Sequence, residues 1–357
     1  STLGDVFWIS SALQKNNSVY YEGMSVPQRI VLSNIPSTPG NIHTLTFSHQ
    51  AGKNGKHAYD YLTSYDQAVE AADDIAGPTV LVNLNECGAN LGPPKTLTQY
   101  CQTTLRQAQN GLVVAAPSAT TMGSLYSRSI TQSAAAYEAI YGSRTITIFG
   151  DAGITSATLT FNGYTGGNTN PRAEYTLTWV SPSTTVLIEM AIHLAMGLDV
   201  ANVTSGVGYG SGLGAGSISG APYHVRLGQL DGMALGSRDN QIMGSAVLTN
   251  ISCDVSGPGI TCTGTQNTFT YNATSSSFSY SWALSNNTSG ASIVGSSTGS
   301  SVVVNAGSQE GGYLLTLSIS DGTQTVQCPT SVMVNGVAAS ATAPPILCKA
   351  VSYTHLT

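Results

Sequence analysis

FSYSWAL at residues 278–284 and GGYLLTLSISDG at 311–322 alternate apolar and hydroxyl-bearing side chains with a period of two. That is the pattern of strands with one face in a core and one in water. The surrounding stretch, 247–348, holds only three charged side chains, Asp254, Glu310 and Asp321, and no Lys or Arg. Its stability must come from β-pairing and a packed apolar face, and its solubility from hydroxyls and amides. Strands are expected over 247–253, 268–272, 278–284, 301–305, 313–320 and 325–334, separated by turn-rich pieces such as Asn286 to Gly290. Short strands at this spacing predict a two-sheet sandwich with Trp282 and Tyr313 in its core.

The whole 357-residue chain shares the bias: 8% of it is charged, against roughly 25% in an ordinary domain, yet 41% is apolar. Its length calls for two or three domains. A net charge of −6 argues against nucleic acid, which needs a basic face, and no polybasic segment suits anionic lipid. No apolar run reaches the roughly 18 residues of a membrane span; the longest, 186–195, is interrupted by Glu189 and His193.

Residues 1–246 read as a first β-domain. Strands are expected at 19–21 and 29–32 around a turn at 23–27, then at 43–49 (HTLTFSH). The turn Gly52-Lys53-Asn54-Gly55-Lys56 leads into 57–65 (HAYDYLTSY), which predicts a hairpin between those two runs. Further strands are expected at 145–149, 157–161, 175–180 and 185–192, and short helices at 67–73 and 131–141. The glycine run 206–220 (GVGYGSGLGAGSISG) lacks the GK[ST] and the strand-to-helix context of a phosphate loop. It reads as a mobile or tightly turning surface loop.

CDVSGPGITC at 253–262, FSYSWAL, GGYLLTLSISDG and QCPTSVMVN at 327–335 together resemble the PKD-like, immunoglobulin-like repeats of secreted Bacteroidetes-type surface proteins. Tyr20-Tyr21-Glu22-Gly23 with Val26-Pro27, Gly55-Lys56-His57-Ala58 with Asp60-Tyr61-Leu62-Thr63, and SGAPYH at 219–224 with Leu230-Asp231-Gly232 resemble an uncharacterised domain of large bacterial secreted proteins. The resemblance implies an all-β fold of tandem β-sandwich domains, 1–246 followed by an immunoglobulin/PKD-like 247–336, outside the cell or on its surface. PGITC at 258–262 recurs as PPILC at 344–348, a shift of 86 residues. Residues 337–349 therefore read as a linker and the start of a next repeat. AVSYTHLT at 350–357 resembles translated sequencing-adapter read-through and is set aside from fold reasoning. With Ser1 at the other end, the reading is of a fragment.

None of the six cysteines forms C-x-x-C, and no Cys/His spacing suits zinc. In so charge-poor a chain they point to disulfides and an oxidising compartment. Cys87 and Cys101 close a short Gly/Pro-rich loop and are expected to pair, while Cys328 is expected to bridge to Cys253 or Cys262. The resembled repeats often carry a further cysteine near Asp321-Gly322, which is absent here.

No H-E-x-x-H pattern involves any histidine, and no G-x-S-x-G elbow follows a strand. Glu22, Asp60, Asp66, Glu174 and Glu189 could supply a glycosidase pair, but their spacing selects none. Accordingly no catalytic, cofactor-binding or metal residue is assigned. Two clusters stand out all the same. Glu70, Asp73 and Asp74 before Gly77-Pro78 form either a solvated acidic turn or a Ca²⁺ site completed by backbone carbonyls. His224, Arg226, Asp231, Arg238 and Asp239 form either a local ion-pair and turn network or a recognition surface. The expected function is a non-catalytic part of a secreted or cell-surface bacterial protein with an adhesive, matrix or filament role. Its ligand would be a polysaccharide or neighbouring copies of itself. The alternative is a carbohydrate-binding accessory region, which would need exposed aromatics among Tyr20, Tyr21, Tyr59, Tyr61, Tyr164 and Tyr209.

Overall fold

A computed structural model describes residues 12–76, 111–197, 208–220, 222–249, 251, 253–272, 278–320 and 325–336. The Cys87–Cys101 pairing, Asp321-Gly322, the 337–349 linker with Cys348, and 350–357 lie outside them. Strands dominate, and α-helix is confined, among the described residues, to Gln67–Ala76 and Ile130–Tyr141. The chain divides into two compact units, Ser1–Asn250 and Ile251–Thr357.

The first unit is built on two sheets. One has five strands in the order Ser25–Ser33, Thr185–Leu194, Thr145–Gly150, Gly111–Ala115, with Tyr59–Thr63 also paired to Thr185–Leu194. The other has six and runs Ser156–Thr165, Arg172–Val180, Ile42–Gln50, Tyr223–Leu230, Met233–Ala234, with Asp239–Ile242 also paired to Tyr223–Leu230. Arg172–Val180 buries every second residue, so Ala173, Tyr175, Leu177 and Trp179 join Leu45 and Phe47 in the core. Ile146, Ile148, Ile188 and Met190 of the five-stranded sheet belong to the same hydrophobic cluster. The Ile130–Tyr141 helix, whose start is capped by the Ser129 hydroxyl, packs Tyr137 against Tyr61 and His193.

Three local expectations change. The turn at 23–27 is tighter than expected: Gly23 takes φ 91°, and Pro27 lies inside an edge strand, where its missing N–H breaks no ladder. Asn54 and Gly55, both at positive φ, make a tight turn, but it joins only Gly52–Lys53 to Lys56–His57. The flanking runs then part, Ile42–Gln50 to the six-stranded sheet and Tyr59–Thr63 to the five-stranded one. The second run is buried at all five positions and cannot serve as the outer arm of a hairpin. Finally, the glycine run turns tightly where it is described, with positive φ at Gly210, Gly212 and Gly220, but only part of it is at the surface. Tyr209 and Ala215 are buried, and a Cβ at Gly214 would overlap the Gly197 amide and Glu22 Oε1.

The second unit is a sandwich of two four-stranded sheets. Their orders are Val255–Ser256, Gln266–Tyr271, Ser301–Asn305, Ser292–Val294, and Ile260–Cys262, Thr325–Asn335, Gly311–Ser320, Ser279–Ser285. Trp282 sits opposite Leu317 in the ladder, is 3% exposed, and donates its indole N–H to the Gly299 carbonyl at 2.8 Å. Of the expected strand at 247–253, only Val247–Leu248 is a strand among the described residues. It pairs in parallel with Tyr20–Tyr21 and belongs to the first unit. Cys328 bridges to Cys253, 75 positions away in the sequence, with Cα atoms 5.2 Å apart. Cys262 is disulfide-bonded as well, and no described cysteine is free.

Closing so long a loop removes much of the unfolded chain's freedom. Replacing Cys253 and Cys328 together by Ser is expected to cost about 2–5 kcal/mol. Calorimetry of the whole chain checks this: the 251–336 transition should move down while that of the first unit stays in place.

Candidate functional site

The densest polar chemistry lies inside the first unit. Asp60 is 1% exposed. Its Oδ1 is 2.8 Å from His193 Nδ1 and accepts the Tyr61 amide N–H at 3.1 Å, while Oδ2 accepts the Tyr209 hydroxyl at 2.9 Å. His193 stacks on Tyr61 with ring centroids 4.5 Å apart, and His57 stacks on Tyr209 at 3.9 Å. His49 Nε2 meets the Tyr175 hydroxyl at 3.1 Å. Burial, against the pull of Asp60, pushes both His49 and His57 down to about 4, so they are neutral near pH 7.

A carboxylate aligned on the Nδ1 of a histidine is how general bases are oriented. Here, however, the pair is sealed: His193 is 0% exposed. Hollows indent the described surface away from this pair. One, of about 510 Å³, lies between Val114–Pro117 and Ala157–Phe161, and another, of about 310 Å³, between Gln50 and Arg226. Neither reaches Asp60 or His193.

Glu22 forms a second buried centre. Its Oε2 accepts the Gly197 amide at 2.8 Å and its Oε1 the Gly216 amide at 2.9 Å. Burial raises its pKa to about 7 in spite of those two hydrogen bonds. Glu189 is also buried, 2.9 Å from Arg29 Nε. Of the remaining candidate carboxylates, Glu174 lies on the outer sheet face beside Arg172, and Asp66 is exposed. The five do not converge on one cleft.

The charged cluster at 224–239 is split. Asp231, at the Asp231-Gly232 turn, reaches back to His43 Nδ1 at 2.9 Å and to the Thr44 amide at 2.7 Å, fixing the start of Ile42–Gln50. Arg238 is exposed. Asp239, expected at a turn, is in a strand and holds His224 Nδ1 at 2.6 Å, with Arg226 Nε at 3.8 Å. His224 and Arg226 share their hollow with Lys53 and Arg172, which the linear sequence did not connect to them. Glu70, Asp73 and Asp74 lie on the Gln67–Ala76 helix, so helix replaces the acidic turn expected there. No metal-holding group of three is found among the described residues. Gly77-Pro78 lies outside them.

None of the six tyrosines that would form a sugar platform is exposed. Tyr59, Tyr61 and Tyr209 are buried; Tyr20, Tyr21 and Tyr164 are half-buried.

No protein-family model and no curated protein matches the chain. Eleven chains of solved structures do. They include the endo-fucoidan hydrolase MfFcnA4 from glycoside hydrolase family 107, at 11% identity over 52% of this chain and 24% of that one, with a TM-score of 0.18. InvD of Yersinia pseudotuberculosis follows at 14% identity over 67% of this chain and 61% of that one, with a TM-score of 0.16. The chain spans about a quarter of the hydrolase's length, and superpositions this partial carry neither fold nor activity across.

Two outcomes are expected. Replacing Asp60 by Ala strands His193 and the Tyr209 hydroxyl in the core and should cost roughly 3–5 kcal/mol in a denaturant titration. The second concerns pH. Between the unfolded values of 4.5 for Glu22 and 6.5 for His49 and His57, the unfolded chain holds the two histidine protons while the native state holds the Glu22 proton. From these three groups unfolding takes up a net one proton, so stability rises with pH by about 1.4 kcal/mol per unit. Glu22→Gln removes the opposing proton and should roughly double that slope. A slope unchanged in the variant would contradict the buried, protonated Glu22.

Proposed function

We propose that the chain is a non-catalytic part of a secreted or cell-surface bacterial protein with an adhesive, matrix or filament-structural role. The observation that carries this reading is where the polar chemistry goes. Asp60, Glu22 and Glu189 each meet an internal partner, and all six candidate tyrosines are turned wholly or partly inward. Such groups hold a fold together rather than meet a substrate. The Cys253–Cys328 bridge fits an oxidising compartment, and the resemblance to PKD-like repeats belongs to the same reading. The charge-poor surface, rich in Ser and Thr, suits a module that persists outside cells. For an accessory carbohydrate-binding region, those six tyrosines offer no exposed platform on which neutral sugars could stack.

The purified chain should release no product from a panel of polysaccharides and peptides, yet be retained on immobilised surface polysaccharide or on copies of itself. Turnover abolished by Asp60→Asn or His193→Gln would overturn the non-catalytic reading.

A further inference from the structure

We propose that the chain is a tension-bearing link. In each unit a segment near the entrance is fastened directly to a segment near the exit, and in the second unit that fastening is also covalent. This deepens the adhesive reading and rests on it, since only an anchored chain is put under load.

The inference follows from the direction of strand pairing. Every described ladder is antiparallel except three short parallel pairings, and all three join the early part of a unit to its late part. In the first unit Leu13 bridges to Ile242, and Tyr20–Tyr21 pairs with Val247–Leu248. The Leu13 amide donates to the Gln241 carbonyl and the Met243 amide to the Leu13 carbonyl, both at 2.9 Å. The Glu22 amide donates to the Leu248 carbonyl at 2.9 Å. In the second unit Ile260–Cys262 runs beside the end of Thr325–Asn335. Direction decides how such a pairing meets a pull. Between antiparallel entry and exit strands, both forces act at one end of the ladder and open its hydrogen bonds one at a time. Between parallel strands they act at opposite ends and load every bond together, in shear. Ile242 and Val247 are buried, which keeps water from replacing the bonds of the first clamp.

The second unit adds its disulfide. Cys253 is two positions after Ile251, where the unit begins, and Cys328 is eight positions before Gly336. Tension that reaches Ile251 therefore passes to Gly336 over ten residue steps and one bridge, whatever happens to the two sheets. The 75 positions separating the cysteines, about 250 Å of chain at roughly 3.3–3.6 Å per residue, are withheld from extension. Cys262 is disulfide-bonded as well, and a further bond only shortens the path. Beyond Cys328 the strand stays zipped to Gly311–Ser320, with Val332 and Val334 in the core. At the exit the Gly336 amide donates to Glu310 Oε1 at 3.1 Å.

Single-molecule stretching of the whole chain in non-reducing buffer, with handles at its two ends, tests both fastenings. The first unit should let go in one abrupt step. Met243→Pro removes one N–H of its clamp at a residue whose φ of −81° lies close to that of proline. At constant force this should raise the rupture rate of the first unit about five-fold, as for one lost backbone hydrogen bond, with the thermal transition retained. In the second unit Cys262→Ser alone should still withhold the 75 positions. Cys262→Ser combined with Cys253→Ser and Cys328→Ser should lengthen the fully stretched chain by about 250 Å over Cys262→Ser. That length is read whether or not the variant folds. Gradual peeling of the first unit, an unchanged rupture rate in folded Met243→Pro, or a triple variant no longer than Cys262→Ser each overturns the proposal. A chain that withstands pulling yet is retained on neither polysaccharide nor copies of itself keeps the link and loses the adhesive reading. A retained chain that peels apart does the reverse.

Discussion

The Thr185–Leu194 strand is buried at nine of its ten positions, so every ionisable group it carries must be neutralised inside the protein. It carries two. Glu189 faces Arg29 directly across the ladder and pairs with it at 2.9 Å; His193 pairs with Asp60 of Tyr59–Thr63 at 2.8 Å. An unpaired charge at such depth costs several kcal/mol. A one-residue slip would turn Glu189 and Arg29 to opposite faces. Charge neutralisation and strand register thus enforce one another, and the five-stranded sheet is assembled around them.

The same economy governs what remains outside. Among the described residues, the deep interior takes Arg29, Arg144, Glu22, Asp60 and Glu189, the Arg144 guanidinium reaching the Leu62 and Pro117 carbonyls. With so few charges in the chain, the outer face of the six-stranded sheet gains its character from Arg172, Arg226 and their neighbours.

Much of the fold was legible in the sequence. Period-two runs located Ile42–Gln50, Arg172–Val180, Ser301–Asn305 and Gly311–Ser320 because each has one dry and one wet face, and Trp282 announced the core of the second unit. The apolar run at 186–195 held a further signal that reading by segments did not use. A glutamate and a histidine in an otherwise dry strand require partners elsewhere. The candidate site was half legible: His224, Arg226 and Asp239 stood out as a charge cluster, whereas Lys53 and Arg172 are far from them in the chain and drew no attention.

Local composition, then, determined the all-β class, the strands with one wet face, the two helices and the Asn54-Gly55 turn, since each reports the burial or backbone freedom of adjacent residues. Tertiary structure alone decided that 42–50 and 59–63 part to different sheets, that Val247–Leu248 closes on Tyr20–Tyr21, that Cys328 takes Cys253, and that Glu22 seats among glycine amides. Those outcomes depend on contacts between residues remote in sequence, where the gain is set by mutual desolvation and packing that no single segment encodes.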